Sequence, residues 1–272
     1  MKLSSSSLPS SSISLFDSHC HFDFDVFGDV GERERLWENC QLAGVQQLLV
    51  PGVEPEQWDL SYTLTESLSG LVMSAGVHPW WVKKLNGNIL DSAQLKQLEQ
   101  CLSRDKCVAV GECGLDASIE LGLDKQQAIF EQQIQLACHL GLPLVIHVRK
   151  THNETLKLLS HYRPKAGGVI HGFTGSIDLA RRYWKLGFYL GIGGSITYPR
   201  ANKTRETVKL MPLQSLLLET DAPDMPLKGF QGEPNSPLKL RGVAHALADL
   251  RGDTLETVCH TTTENSRRLF ML

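Results

Sequence analysis

Two spacings of apolar residues alternate along this chain. Short runs rich in Val, Leu and Ile, such as "VQQLLVPG", "LVMSAGVH", "CVAVGEC", "LPLVIHV", "GGVIHGF", "FYLGIGG" and "SLLLETD", have the length and β-forming character of buried strands. One more, "SLFDSHCH", precedes them. Between these runs lie longer segments in which apolar residues return every three or four positions. The clearest is "KQQAIFEQQIQLACHLG", where Ala128, Ile129, Ile134, Leu136, Ala137 and Leu140 keep a helical rhythm until Gly141 stops it. The segments "ERERLWENCQLAG", "PEQWDLSYTLTESLSG", "AQLKQLEQCLSR", "NETLKLLSHYR", "SIDLARRYWKLG" and "SPLKLRGVAHALADLRG" read the same way.

This alternation, with about eight strands over 272 residues, predicts an α/β chain folded as a single (β/α)8 TIM barrel spanning residues 15–272. A doubly wound open sheet is the competing fold, but no Gly-rich phosphate fingerprint follows the first strand. "TLETVCHTTTENSRRLF" predicts a C-terminal helix that closes the outer layer of the barrel. "SITYPRANKTRETVKLMPLQ" is the least regular stretch and has room for one short helix. Residues 1–14 are expected from their Ser and Pro content to be a disordered leader, and they lack the continuous apolar core of a secretory signal.

Ionisable residues interrupt these apolar runs in a consistent place. His19 and His21 end the first strand, His78 the third, Glu112 the fourth, His147 the fifth, His171 the sixth and Asp221 the eighth. Strand ends on that side of a parallel barrel build its active face. In extended backbone His19 and His21 share one face, with Cys20 opposite. Taken singly, each residue has an ordinary structural reading: a hydrogen-bonded His, an ion-paired Glu, an Asp capping the turn before Ala-Pro. Taken together, six buried ligating groups in one small volume would be costly without compensation, and divalent cations would convert them into ligands.

The remaining histidines fit other roles. His139, His161, His245 and His260 fall on helical segments, the first two near helix ends where a cation suits the carbonyl pole. His152 is expected to help cap the helix that begins "THNE", set against a place behind the metal ligands, and Cys20 and Cys113 to point away from any metal. A net charge of −3 argues against bulk adhesion to nucleic acid or to an anionic membrane, so any phosphate recognition must be local. There is no long apolar stretch to predict a spanning helix. Seven irregularly spaced cysteines suggest reduced thiols and a cytoplasmic protein.

The ordered motifs "DSHCHF", "GVHP", "VGECGLD", "IHVR", "HGFTGS" and "LLLETDAP", then Asn235, Pro237 and "ENSRRLF", make the chain resemble the TatD family. These are metal-dependent hydrolases and deoxyribonucleases within the amidohydrolase-like TIM barrels. The resemblance runs from Phe16 to the end, and "GGSITYPRANKTRE" with "LLLETDAPDMPLKGFQGEPN" is most similar to the YjjV-like branch. Cys113 stands where the family is commonly apolar. The resemblance implies His19, His21, Glu112, His147, His171 and Asp221 as ligands of two divalent metal cations, drawn from Zn, Mn, Mg, Ni or Fe. His19, His21 and Asp221 would hold one cation and His147 and His171 the other. Glu112 would bridge them, where many related hydrolases use a carboxylated lysine.

In that scheme Asp221 and Glu112 are catalytic. Asp221 accepts and returns a proton, and His78 donates to a phosphoryl oxygen or leaving group. Arg149, two residues past His147, is a candidate bidentate phosphate contact, set against a rim ion pair. Gly193, Gly194 and Ser195 could present backbone N–H groups, with Arg200, Lys203 and Arg205 as a basic rim, set against a solvated loop. The expected activity is a metal-dependent phosphodiesterase, a 3′-to-5′ exodeoxyribonuclease acting on DNA through an activated water. No membrane and no obligate protein partner are expected, and the chain is expected to be a monomer. The alternatives are a hydrolase of a small amide, lactone or ester, and a non-catalytic metal-binding barrel.

Overall fold

In the computed structural model, residues 13–85 and 87–272 are described. The expected leader thus lies outside the described residues except for Ile13 and Ser14. Strands and helices follow in the order β1 (Leu15–Asp17), α1 (Val30–Leu42), β2 (Val45–Gly52), α2 (Pro55–Ser67), β3 (Leu71–Ala75), α3 (Pro79–Val82), α4 (Ser92–Leu102), β4 (Cys107–Asp116) and α5 (Leu123–Leu140). They continue with β5 (Leu144–Arg149), α6 (His152–Tyr162), β6 (Gly168–Ile170), α7 (Ile177–Lys185), β7 (Phe188–Ile192), α8 (Asn202–Leu210), β8 (Leu216–Leu218), α9 (Leu240–Arg251) and α10 (Leu255–Phe270).

Local chemistry sets several of these boundaries. Asp29 with Glu32, and Asp91 with Gln94, form reciprocal capping boxes that start α1 and α4. Gly141 takes the left-handed conformation that ends α5, as its position in the sequence predicts. The expectation that His152 caps α6 is not met. Thr151 holds the N-cap position without a side-chain cap bond, and His152 Nδ1 instead lies 2.9 Å from the Tyr183 hydroxyl. Tyr183 lies on α7, so the His152 ring ties α6 to that neighbour instead.

The eight strands pair in parallel, in sequence order from β1 to β8. The return from β8 to β1 is made by Ser18 N–H to Leu218 O at 2.9 Å. Just beyond the strands, Asp221 N–H donates to His19 O and His21 N–H to Ala222 O, both at 2.8 Å. The fold is the (β/α)8 barrel expected. The irregular segment after β7 holds α8 and two 3-10 turns, Gly194–Thr197 before it and Leu213–Ser215 after it. Among the described residues no helix is long and apolar enough to cross a membrane.

Alternation along the strands explains how the interior is filled. Phe16, Leu49, Val72, Ala109, Val145, Val169, Tyr189 and Leu217, one from each strand, pack together as a buried ring. The last turn of α10 lays Leu269 and Phe270 against it, with the Phe16 and Phe270 rings 5.8 Å apart. Two residues further along the same inward face come His147 on β5, His171 after β6 and Glu219 after β8. Polar groups thus form the layer directly above an apolar one.

The terminal helix is tied to the barrel as well as packed on it. Asn265, buried on α10, donates from Nδ2 to Leu213 O at 3.0 Å and to Leu216 O at 2.9 Å, at the start of β8. Truncating it strands two buried carbonyls, so Asn265→Ala should lower unfolding free energy by about 2–4 kcal/mol in a urea titration. A loss within about 0.5 kcal/mol of zero would mean that α10 is held by apolar packing alone.

Candidate metal centre

Glu112 sits inside β4 rather than at its end, because β4 continues to Asp116. Pairing with β5 runs Val110 opposite Leu144 and then Cys113 opposite Ile146, so β4 carries one extra residue between these points. Such a bulge re-aims a side chain that regular alternation would place elsewhere. Gly111, at φ 144°, permits it, and a Cβ there would lie 2.4 Å from Val145 O.

Five imidazoles surround this carboxylate and divide between its two oxygens. Oε2 faces His19 Nε2 at 3.2 Å and His21 Nε2 at 3.7 Å. Oε1 faces His171 Nε2 at 2.8 Å, His147 Nδ1 at 3.2 Å and His78 Nε2 at 3.3 Å. Asp221 Oδ1 completes the cluster 3.6 Å from His19 Nε2, 3.8 Å from His21 Nε2 and 3.9 Å from His171 Nδ1. Asp221 holds φ 55°, a left-handed conformation rarely taken by a residue with a side chain, of the kind that collects at functional sites.

The charges respond to this crowding. Burial would raise Glu112, yet the imidazoles of His171, His78 and His19 hold it well below the usual carboxylate range. Burial would lower His171, but Glu112 lifts it to about 10. Burial drives His19 well down and His21 to about 4. Asp221 is pushed up to about 7 by burial, with His171 opposing and Glu112 reinforcing the shift.

The donor atoms fit divalent cations. Both nitrogens of His19, Nδ1 of His21 and Nδ1 of His171 are buried with no hydrogen-bond partner among the described residues. Unpaired buried imidazole nitrogens are costly, and a cation would satisfy them. Three sets of ligating atoms each lie within 4.8 Å: His19, His171 and Asp221; His19, His21 and Glu112; and His78, Glu112 and His147. All six residues expected as ligands appear in these sets. So does His78, whose expected part is that of a hydrogen-bond donor.

The TatD related DNase family matches residues 16–271 of this chain. The metal-dependent hydrolase YjjV of Escherichia coli (strain K12), described as uncharacterized, is 40% identical over 259 residues, covering 94% of this chain and 97% of YjjV. The chain belongs to the TatD family of metal-dependent hydrolases. The crystal structure of that YjjV, a TatD homologue, superposes with a TM-score of 0.87 over 95% of this chain and 98% of its own. The 3′-5′ ssDNA/RNA exonuclease TatD of Pantoea vagans (strain C9-1) is 32% identical over 249 residues, covering 89% of this chain and 94% of that protein.

Within this TatD barrel, the expected phosphate contacts fare differently. Arg149 ends β5, is exposed, and borders the cavity of about 490 Å³ that opens above the cluster. Arg200 is not among the residues lining that cavity; its guanidinium lies over the Tyr198 ring at 5.0 Å. Arg205 donates to Ile196 O at 2.6 Å and so braces its own loop. Gly193 and Gly194 are buried, and a Cβ on Gly194 would meet Met225 O at 2.5 Å. The segment after β8 packs over this loop, with Tyr198 donating to Pro226 O and Lys228 N–H to Thr197 Oγ1. Gly193, Gly194 and Ser195 are not among the residues lining the cavity, and the close approach of Met225 O leaves no room for a side chain at Gly194.

Asp17, Asp116 and Glu219 are buried acids beside the cluster that no apolar-run pattern marks. Asp116 Oδ2 lies 3.2 Å from His147 Nε2 and accepts from Trp80 Nε1 at 2.9 Å, while Oδ1 accepts from Ser118 N–H at 2.7 Å. Burial opposes its ionisation, but these bonds hold it well below the carboxylate range. An ionised Asp116 fixes the His147 proton on Nε2 and frees Nδ1 toward Glu112. Asp17 accepts from Thr220 N–H and Oγ1 at 2.9 and 2.6 Å, and from His19 N–H at 3.3 Å. Glu219 accepts from Gly172 N–H, and a Cβ on Gly191 would strike it at 2.0 Å. All three stand two or four residues from an expected ligand, so extending the inward alternation would have marked Glu219.

Glu112→Gln keeps the shape of the central side chain and removes its charge. The wild type should gain about 5–10 °C in melting temperature when saturated with a divalent ion, and the variant little or none. Elemental analysis of the two proteins should show the matching loss of metal. Equal metal content and equal thermal gain would remove Glu112 from the centre.

Proposed function

We propose that the chain is a divalent-metal-dependent phosphodiesterase that removes nucleotides from the 3′ end of DNA. The observation that carries this reading is the placement of Glu112 between two sets of imidazoles with Asp221 at the edge. Support comes from the TatD family description and from the exonuclease activity named for the Pantoea vagans relative. His19, His21 and Asp221 would hold one cation, His147 and His171 a second, and Glu112 would reach both. Bound there, two divalent cations would supply an activated water and charge stabilisation for in-line displacement at phosphorus.

The protein's own groups divide the remaining work. Asp221 Oδ1 accepts the proton released by the attacking water and returns it to the leaving oxygen, a duty suited to a carboxylate at the edge of the cluster that also borders the cavity. His78 Nδ1 accepts from Trp80 N–H at 3.1 Å, so its own proton sits on Nε2, the atom turned toward Glu112 and the cavity. Burial keeps this imidazole neutral, and from Nε2 it donates to a phosphoryl oxygen. Arg149 at the rim offers a local positive charge to the neighbouring phosphate.

End-labelled single-stranded DNA tests the proposal. Saturating chelator should abolish nucleotide release and an added divalent ion should restore it. Asp221→Asn should lower kcat by roughly 10²- to 10⁴-fold with a far smaller change in KM. Activity that survives full chelation ends the metal reading, and wild-type turnover by Asp221→Asn removes the base. Faster hydrolysis of a lactone or dipeptide panel than of DNA would move the substrate to a carbonyl compound.

A further inference from the structure

An aromatic pair at the mouth of the cavity is left unused by the roles above. Trp80 is 46% exposed, and its ring lies 6.4 Å from that of Trp81 with the planes 21° apart. Both meet the His78 ring edge-on at 5.7 Å, and His78 in turn lies 4.4 Å from His147. The pair therefore borders the Oε1 side of Glu112. On the Oε2 side, Phe24 stacks on His21 at 4.6 Å.

Trp80 is held in place despite its exposure. Its Nε1–H donates to Asp116 Oδ2 at 2.9 Å, and the same oxygen lies 3.2 Å from His147 Nε2. One buried carboxylate thus fixes both an expected ligand and the open aromatic face. A large apolar face kept in water, with its polar edge already satisfied, gains free energy when a flat ring covers it. Its fixed orientation means that little ordering is lost when that happens.

We propose that Trp80, backed by Trp81, is a nucleobase shelf that stacks the base next to the phosphodiester addressed by the Glu112 cluster. The proposal rests on the phosphodiesterase reading and adds to it how DNA is gripped. At net charge −3, with Arg149 bordering the cavity and Arg200 outside its lining, electrostatic hold on a strand is limited. Stacking supplies grip without reading sequence, because every base has a π-face. Asp116 sets the distance between shelf and cluster, so the base lodged on Trp80 determines which phosphate is presented.

The test separates binding from cleavage. A short single-stranded oligonucleotide ending in 3′ 2-aminopurine, with a hydrolysis-resistant phosphorothioate as its last linkage, is titrated into metal-loaded protein. Wild type should quench the 2-aminopurine, Trp80→Phe should retain most of the quench, and Trp80→Leu should lose it with affinity reduced about 10-fold or more. In cleavage assays Trp80→Leu should raise KM on base-bearing DNA far more than on the same strand ending in an abasic analogue. Equal quenching by wild type and Trp80→Leu, equal KM penalties on the two strands, or no binding by folded wild type would each overturn the shelf. Quenching that depends on Trp80 without any cleavage of ordinary DNA would keep the shelf and sink the phosphodiesterase reading.

Discussion

The seam between the first and last strands is the constraint on which the rest of the molecule depends. His19 and His21 lie about 200 residues from Asp221 in sequence, and three backbone hydrogen bonds across the seam bring them within 4 Å. Two of those bonds use the backbone of the expected ligands themselves, Asp221 N–H with His19 O and His21 N–H with Ala222 O. Closing the barrel and assembling the centre are therefore one event. Asp17 reinforces it from behind by binding Thr220 through both backbone and side chain. Its burial raises its pKa to about 7, so the protein keeps a costly group there in exchange for a fixed seam.

Above the apolar ring, the interior becomes a layer of mutually dependent charges. Glu112 alone would be expensive to bury, and so would the imidazoles around it. Together they offset one another: the Glu112–His171 contact at 2.8 Å gives the cluster an internal ion pair, while His19 and His21 stay neutral and keep lone pairs for a cation. The arrangement holds ligating atoms in position before any metal arrives. That is the kind of preorganisation which lets a site bind and react without first rearranging.

Asp116 extends this order outward. It orients His147 on one side and Trp80 on the other, so the chemistry at the base of the cavity and the surface at its mouth share one anchor. Arg33 plays a comparable part beneath the first loop, donating to Phe22 O, Asp23 O and Phe24 O and thereby fixing the turn that carries His21 and Phe24.

By itself the sequence determined the strand–helix alternation, and with it the parallel barrel and the face on which chemistry collects, because periodicity is a local property of the backbone. It also marked His19, His21, Glu112, His147, His171 and Asp221 as a set, because ionisable residues at the ends of apolar runs are conspicuous. The tertiary structure decided what local pattern cannot carry. The β4 bulge that aims Glu112 appears when that strand is paired with β5. The roles of Asp17, Asp116 and Glu219 depend on partners far off in the chain or in neighbouring strands. Arg200 looked like part of a basic rim, but it does not line the cavity and its guanidinium lies over the Tyr198 ring. Direction and distance between side chains on separate strands are set by packing, and a linear pattern holds no record of them.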